Sequence, residues 1–189
     1  MGRFMNHKKW VVALALIATA LILTHLPVSE ADAAASASDF QIEGSTLTKY
    51  RGSDERVTIP DTVEVVGESA FENNQKVQFV VVPKSVKRMD AYVFWGCDNL
   101  EEVVLGKGLT SVDEYAFSGC TGLKQITIPE NIQSIDAQAF AGCTNLTDIY
   151  IPDTVTSIAD DAFLNCDNVT IHADEGLSLI HISEPTRRS

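Results

Sequence analysis

Residues 128–150 read Ile128-Pro129-Glu130-Asn131-Ile132-Gln133-Ser134-Ile135-Asp136-Ala137-Gln138-Ala139-Phe140-Ala141-Gly142-Cys143-Thr144-Asn145-Leu146-Thr147-Asp148-Ile149-Tyr150. Just upstream, Leu123, Ile126 and Ile128 follow the spacing L-x-x-I-x-I. Ile126 and Ile128 alternate with Gln125 and Thr127, the period of a half-buried strand. Pro129 has no amide hydrogen and ends the pairing. Ile132 and Ile135, spaced by three, carry the chain round a turn. Ala139-Phe140 is expected in a short helical or 3₁₀ turn on the far side. Gly142-Cys143 then closes the unit and hands over to Leu146.

The same sentence recurs with a period of 23 residues. Phe71, Phe94, Phe117, Phe140 and Phe163 fall one period apart. So do Cys97, Cys120, Cys143 and Cys166, with Asn74 in the first slot. Pro60, Pro83, Pro129 and Pro152 keep register, and Gly106 fills the missing place. A fixed period of this size means a solenoid, because one unit cannot bury its own apolar face and must stack on its neighbours. Stacking turns positions into columns: Val66, Met89, Val112, Ile135, Ile158; Val77, Leu100, Leu123, Leu146, Val169; and Val80, Val103, Ile126, Ile149. Ala70, Val93, Ala116, Ala139 and Ala162 precede the Phe column and leave it room. Gly106-Lys107-Gly108 replaces the proline turn of the third unit and is expected to loosen it.

Ile128-Pro129 through Ile149 resembles the BspA-type leucine-rich repeat family almost position for position, and the resemblance covers residues 57–171. It extends to Phe40-Gln41-Ile42, Leu47-Thr48-Lys49-Tyr50 and Gly52, which look like the lead-in before the first repeat. The resemblance implies an α/β leucine-rich-repeat solenoid: a right-handed superhelix, a parallel sheet on the concave face and short helical or 3₁₀ turns on the other side. It also implies an extracellular or cell-surface protein of adhesive or protein-binding type. The family motif specifies scaffold positions, so no binding site carries over.

The ends stand apart from the repeat. Arg3, Lys8 and Lys9 precede an apolar run over residues 10–23, of signal-peptide length and short for a membrane span. Ala31-Asp32-Ala33 and Ala35-Ser36-Ala37 fit the small-x-small cleavage rule. Residues 1–37 are therefore read as a signal peptide, with an uncleaved anchor as the alternative. Residues 38–56 are the lead-in cap, 57–172 five repeats, and 173–189 an end that departs from the pattern. Leu177-Ser178-Leu179-Ile180-His181-Ile182-Ser183-Glu184-Pro185-Thr186-Arg187 matches the conceptual translation of a transposase-type sequencing adapter. On that reading the natural chain continues past Gly176; the alternative is a natural tail. Without a cap, the apolar end is expected to associate.

The whole chain has a net charge of −12, and residues 38–176 alone carry 9 basic and 23 acidic residues, a net of −14. Such a domain repels nucleic acid and anionic membrane surfaces. No membrane partner is expected after cleavage.

Four cysteines suggest two disulfides in a secreted protein. Here they occupy one slot in adjacent coils, about 4.7–4.9 Å apart with parallel vectors. A disulfide needs Cβ atoms about 3.5–4.5 Å apart and converging. A ladder of free buried thiols is expected, and in-line cysteines cannot converge on a tetrahedral zinc. Of the four histidines, His7 and His25 lie near the start and His181 in the tail, which leaves His172, read as a surface residue. No Ser-His-Asp or Cys-His arrangement has a candidate, so no enzymatic activity and no cofactor are expected. Asp160-Asp161 and Glu101-Glu102 are read as solvated acids. The glycosylation triplets at Asn145 and Asn168 place Leu146 and Val169, both core positions, at their centres and are read as chance.

Function is expected on the outward strand positions. One column is Arg56, Phe79, Glu102, Gln125, Asp148; the next is Thr58, Val81, Val104, Thr127, Tyr150. Exposed Phe79, Val81, Val104 and Tyr150 beside acids would make a mixed apolar and acidic surface, and aromatics anchor many interfaces. A parallel sheet also favours such residues for its own reasons. The sequence thus suggests a secreted or surface-displayed binding module for an extracellular protein or glycan. The alternatives are an accessory domain of a larger extracellular enzyme or wall-anchored protein, and a structural spacer.

Overall fold

The computed structural model describes residues 35–173. The signal reading of the residues before 35, the departing end past 173 and the adapter reading of 177–187 lie outside them. A hairpin of β1 (Phe40–Glu43) and β2 (Thr46–Tyr50) opens the domain, turning at Gly44 with φ +63°. The chain then coils. Its first face is one six-stranded sheet of β3 (Arg56–Thr58), β5 (Phe79–Val81), β7 (Glu102–Val104), β9 (Gln125–Thr127), β11 (Asp148–Ile151) and β13 (Thr170–Ala173), in that order. Its second face holds the two-residue strands β4 (Val65–Val66), β6 (Arg88–Met89), β8 (Ser111–Val112), β10 (Ser134–Ile135) and β12 (Ser157–Ile158). Every pairing after the hairpin is parallel.

The register is the repeat itself. Val57 pairs with Val80, Val80 with Val103 and Val103 with Ile126, so apolar residues stack coil on coil. Val66, Met89, Val112, Ile135 and Phe71, Phe94, Phe117, Phe140 are buried. Successive Phe rings stack at 4.9–5.3 Å from Phe71 to Phe163. Burying each contributes roughly 1.5–3 kcal/mol. Tyr50 heads this stack, 5.0 Å from Phe71, and Phe40 covers Tyr50 at 5.1 Å. The lead-in therefore caps the column with two aromatic rings. Its strand β2 also pairs in parallel with β4.

The turn side corrects one expectation. The structure is a β-solenoid, and its back segments are turns rather than helices; the only helix among the described residues is the 3₁₀ turn Ala37–Asp39. Hydrogen bonding gives the reason. Alternate amides leave their own coil: Tyr92 N donates to Glu114 O, Phe94 N to Ala116 O and Gly96 N to Ser118 O. Those between them close local turns, as Trp95 N does on Tyr92 O and Cys97 N on Phe94 O. A helix needs every amide for itself. Moreover, Ser69, Tyr92, Tyr115 and Gln138 sit at φ 53–60°, a left-handed conformation that breaks helices and costs roughly 1–2 kcal/mol each.

The third coil departs from the rest. The turn amide of Leu109 reaches Gly106 O at 3.4 Å, against 3.0–3.1 Å for the four proline turns. The second face breaks there into two sheets, between β6 and β8. Yet both glycines are required: a Cβ on Gly106 would strike the Pro83 carbonyl, and one on Gly108 the Val86 carbonyl. The coil is less regular and, at these two points, unusually close to its neighbour.

Candidate binding face

Alternation along each strand of the first face puts one residue in the core and its neighbours outside. In-register pairing then aligns Arg56 with Phe79, Phe79 with Glu102, and Glu102 with Gln125. The adjoining column runs Thr58, Val81, Val104, Thr127, Tyr150. Asp148 is likewise outward on β11. All ten residues of the two columns therefore lie on the outer side of one sheet.

They do not form a uniform surface. At one end Phe79, Val81, Glu102 and Val104 are half-buried and contiguous. The Arg56 guanidinium carbon lies 5.3 Å from the centre of the Phe79 ring, a cation–π contact worth about 0.5–1 kcal/mol at an exposed site. Burial beside this apolar patch pushes the Glu102 carboxyl up, and Arg56 partly opposes the shift. Gln125 and Thr127 in the middle are exposed and polar.

The other end contains His172, which the sequence left as an isolated surface residue. The strict period assigns the core slot after Ile149 to His172. The last coil is one residue shorter: Ile149 pairs with Ile171, and Tyr150 with His172. A slip of one residue exchanges the faces of a strand. It turns the apolar Ile171 toward the core and the imidazole outward, sparing the burial of a polar ring. His172 then stacks on Tyr150 at 4.5 Å and 14°, and its Nε2 lies 2.8 Å from Asp148 Oδ1. That hydrogen bond, with a smaller one from Thr147, holds the Asp148 carboxyl below its ordinary range. Tyr150 is 50% exposed. The two ends of the face are thus an apolar patch with an arginine and an aromatic–imidazole–carboxylate cluster.

Chemistry elsewhere is structural. Each cysteine thiol is buried and bonds a backbone carbonyl of the preceding coil. Burial pushes the Cys97 thiol up to about 12. Asn74 fills its slot by accepting from Lys76 N and Val77 N. Asn168 commits its side-chain amide to Thr144 O. Among the described residues, no three of His, Cys, Asp or Glu converge to hold a metal. A second group of aromatics, Tyr92, Trp95 and Tyr115, lies on the turn side. Only the one-period spacing of the two tyrosines could have announced it.

Comparison with known proteins agrees with this geometry. A sequence family described as BspA type leucine rich repeat region matches six copies over residues 45–170. Its span starts inside the lead-in, which the five-repeat reading had set apart as a cap. A leucine rich cell surface protein of Faecalibacterium prausnitzii is similar at 32% identity and TM-score 0.69, over 75% of this chain and 39% of that one. A leucine rich repeat protein of T. pallidum is similar at 27% identity and TM-score 0.71, over 74% of this chain and 71% of that one. One from Bacteroides ovatus is similar at 27% identity and TM-score 0.62, over 75% and 40%. The chain therefore spans less than half the length of the first and third. No curated protein matches it.

Proposed function

We propose, for a chain that belongs to the BspA-type leucine-rich repeat family, a role as a protein-binding module whose docking surface is the outer side of the six-stranded face. The observation that carries this reading is the placement of Phe79, Val81, Val104 and Tyr150 outward on one sheet, while Val57, Val80, Val103 and Ile149 already satisfy the core. Outward aromatic residues of this kind are enriched at protein interfaces and anchor many of them.

The setting is extracellular. A signal-type N-terminus and a likeness to a protein described as a cell surface protein support that assignment. The partner is an extracellular protein, with a glycan as the competing class. The short coverage of two longer relatives favours a second reading, in which this module serves a larger extracellular protein.

Hydroxyl-radical footprinting tests the surface once a partner has been found on protein and glycan arrays. The partner should protect Phe79 and Tyr150 from oxidation and leave the turn side unprotected. Protection confined to the turn side would refute the assignment.

A further inference from the structure

The turn side of the second and third coils carries a second surface. Tyr92 and Tyr115, one period apart, stack at 4.7 Å with 7° between their planes. Trp95 meets Tyr92 edge-on at 6.5 Å and is 39% exposed. The positions just before the tyrosine column are Glu68, Ala91 and Glu114 in successive coils. Backbone bonds from Ser69 N to Ala91 O and from Tyr92 N to Glu114 O set these three side by side. Ala91 puts a small side chain between two acidic positions two coil steps, roughly 10 Å, apart. Neither Glu68 nor Glu114 has an ion-pair partner among the described residues. Both carboxylates act on Tyr92: with burial first and Tyr115 next, they hold its hydroxyl above the ordinary range.

We propose that Tyr92 and Trp95, with Glu68 and Glu114, form a second binding site, for a Lys or Arg side chain of a partner protein. The exposed Trp95 ring meets Tyr92, and the two carboxylates belong to the row of positions just before the tyrosine column. A cation there gains both the ring quadrupole and the carboxylate charge. The surplus of acid over base across residues 38–176 draws basic partners from a distance. A neutral sugar also stacks on an exposed indole and can donate its hydroxyls to a carboxylate, but only a cation gains from the charge of both. The charge therefore selects the cation. This site is separate from the six-stranded face and stands whether or not that face binds.

The test uses the full chain carrying Trp10→Phe, so that Trp95 is the remaining one of two tryptophans. A capped hexa-arginine peptide is titrated at low salt while Trp95 emission is followed, with cellohexaose as the neutral-glycan probe. The peptide should give a saturable change and cellohexaose none. Glu68→Gln with Glu114→Gln should weaken the peptide about 3- to 10-fold, and Trp95→Leu should do the same by anisotropy of labelled peptide. Asp153→Asn, an exposed acid elsewhere, should leave affinity unchanged, and melting curves check that each variant folds. Equal affinity in all variants, or equal losses including Asp153→Asn, would reduce the effect to bulk charge and overturn the site. Saturation by cellohexaose and not by the peptide would overturn it in favour of a glycan.

Discussion

The thiol of Cys120 donates to the backbone carbonyl of Phe94, 26 residues earlier in the preceding coil, at 3.1 Å. Cys97, Cys143 and Cys166 make the same bond to Phe71, Phe117 and Phe140 at 2.9–3.2 Å. The cysteines are therefore ties between coils, each adding a second donor to a carbonyl that a turn amide already bonds.

Buried thiols with raised pKa resist alkylation, because the thiolate is the reacting species. Iodoacetamide at pH 8 should leave Cys97, Cys120 and Cys143 unmodified in the native protein. Cys166 should react first, since hydrogen bonding with Cys143 draws its pKa down. Mass spectrometry of the labelled peptides reads the order. Fewer than four free thiols after denaturation without reductant would contradict the ladder.

Phe117 is fully buried between Phe94 and Phe140. Phe117→Ala should cost about 3–5 kcal/mol, as large cavities in a core do. Phe163→Ala, at a ring only partly buried, should cost less. Urea denaturation of both variants checks the order, and equal losses would disagree with the burial gradient.

Gly108→Ala forces a Cβ against the Val86 carbonyl of the preceding coil. A loss of about 1–3 kcal/mol is expected, the scale of overpacking in a closed space. Thermal melts measure it. A neutral or stabilising result would mean that the third coil is slack rather than close.

Asp113 lies half-buried between Asp90 and Asp136 of the adjoining coils. Burial first, and these two acids, raise its pKa, while a hydrogen bond from Ser111 opposes the rise. The folded state therefore binds this proton more tightly than the unfolded chain. Its contribution is complete below the unfolded carboxylate range and is lost as pH rises through the raised folded value. Asp113→Asn should lift the melting temperature at pH 7 and leave it nearly unchanged at pH 3. A stabilisation independent of pH would exclude the carboxylate as its source.

Much of the fold was legible because the 23-residue period acts directly on the core. Phe71 through Phe163 and the aliphatic columns can stack in one register only, and any other exposes them. The turn side was not legible. Ala139-Phe140 has the spacing of a short helix, and nothing in those residue types states that alternate amides bond the next coil. The binding face was legible as positions, since strand alternation assigns Phe79 and Tyr150 outward. His172 was read as a surface residue, but its place beside Tyr150 and Asp148 was not legible because the last coil is one residue short. Tyr92, Trp95 and Tyr115 were missed because turn positions carry no burial pattern to read.

The central claim is that the proposed protein partner docks on the outer side of the six-stranded face, while the inward-facing columns serve the scaffold. The affinity of the Phe79→Ser, Tyr150→Ser double variant for an array-identified partner tests it most directly, beside its thermal melt. The account predicts that binding is lost and the melting temperature is nearly kept, because neither side chain is part of the core. Full affinity in a variant that melts like the parent would contradict it.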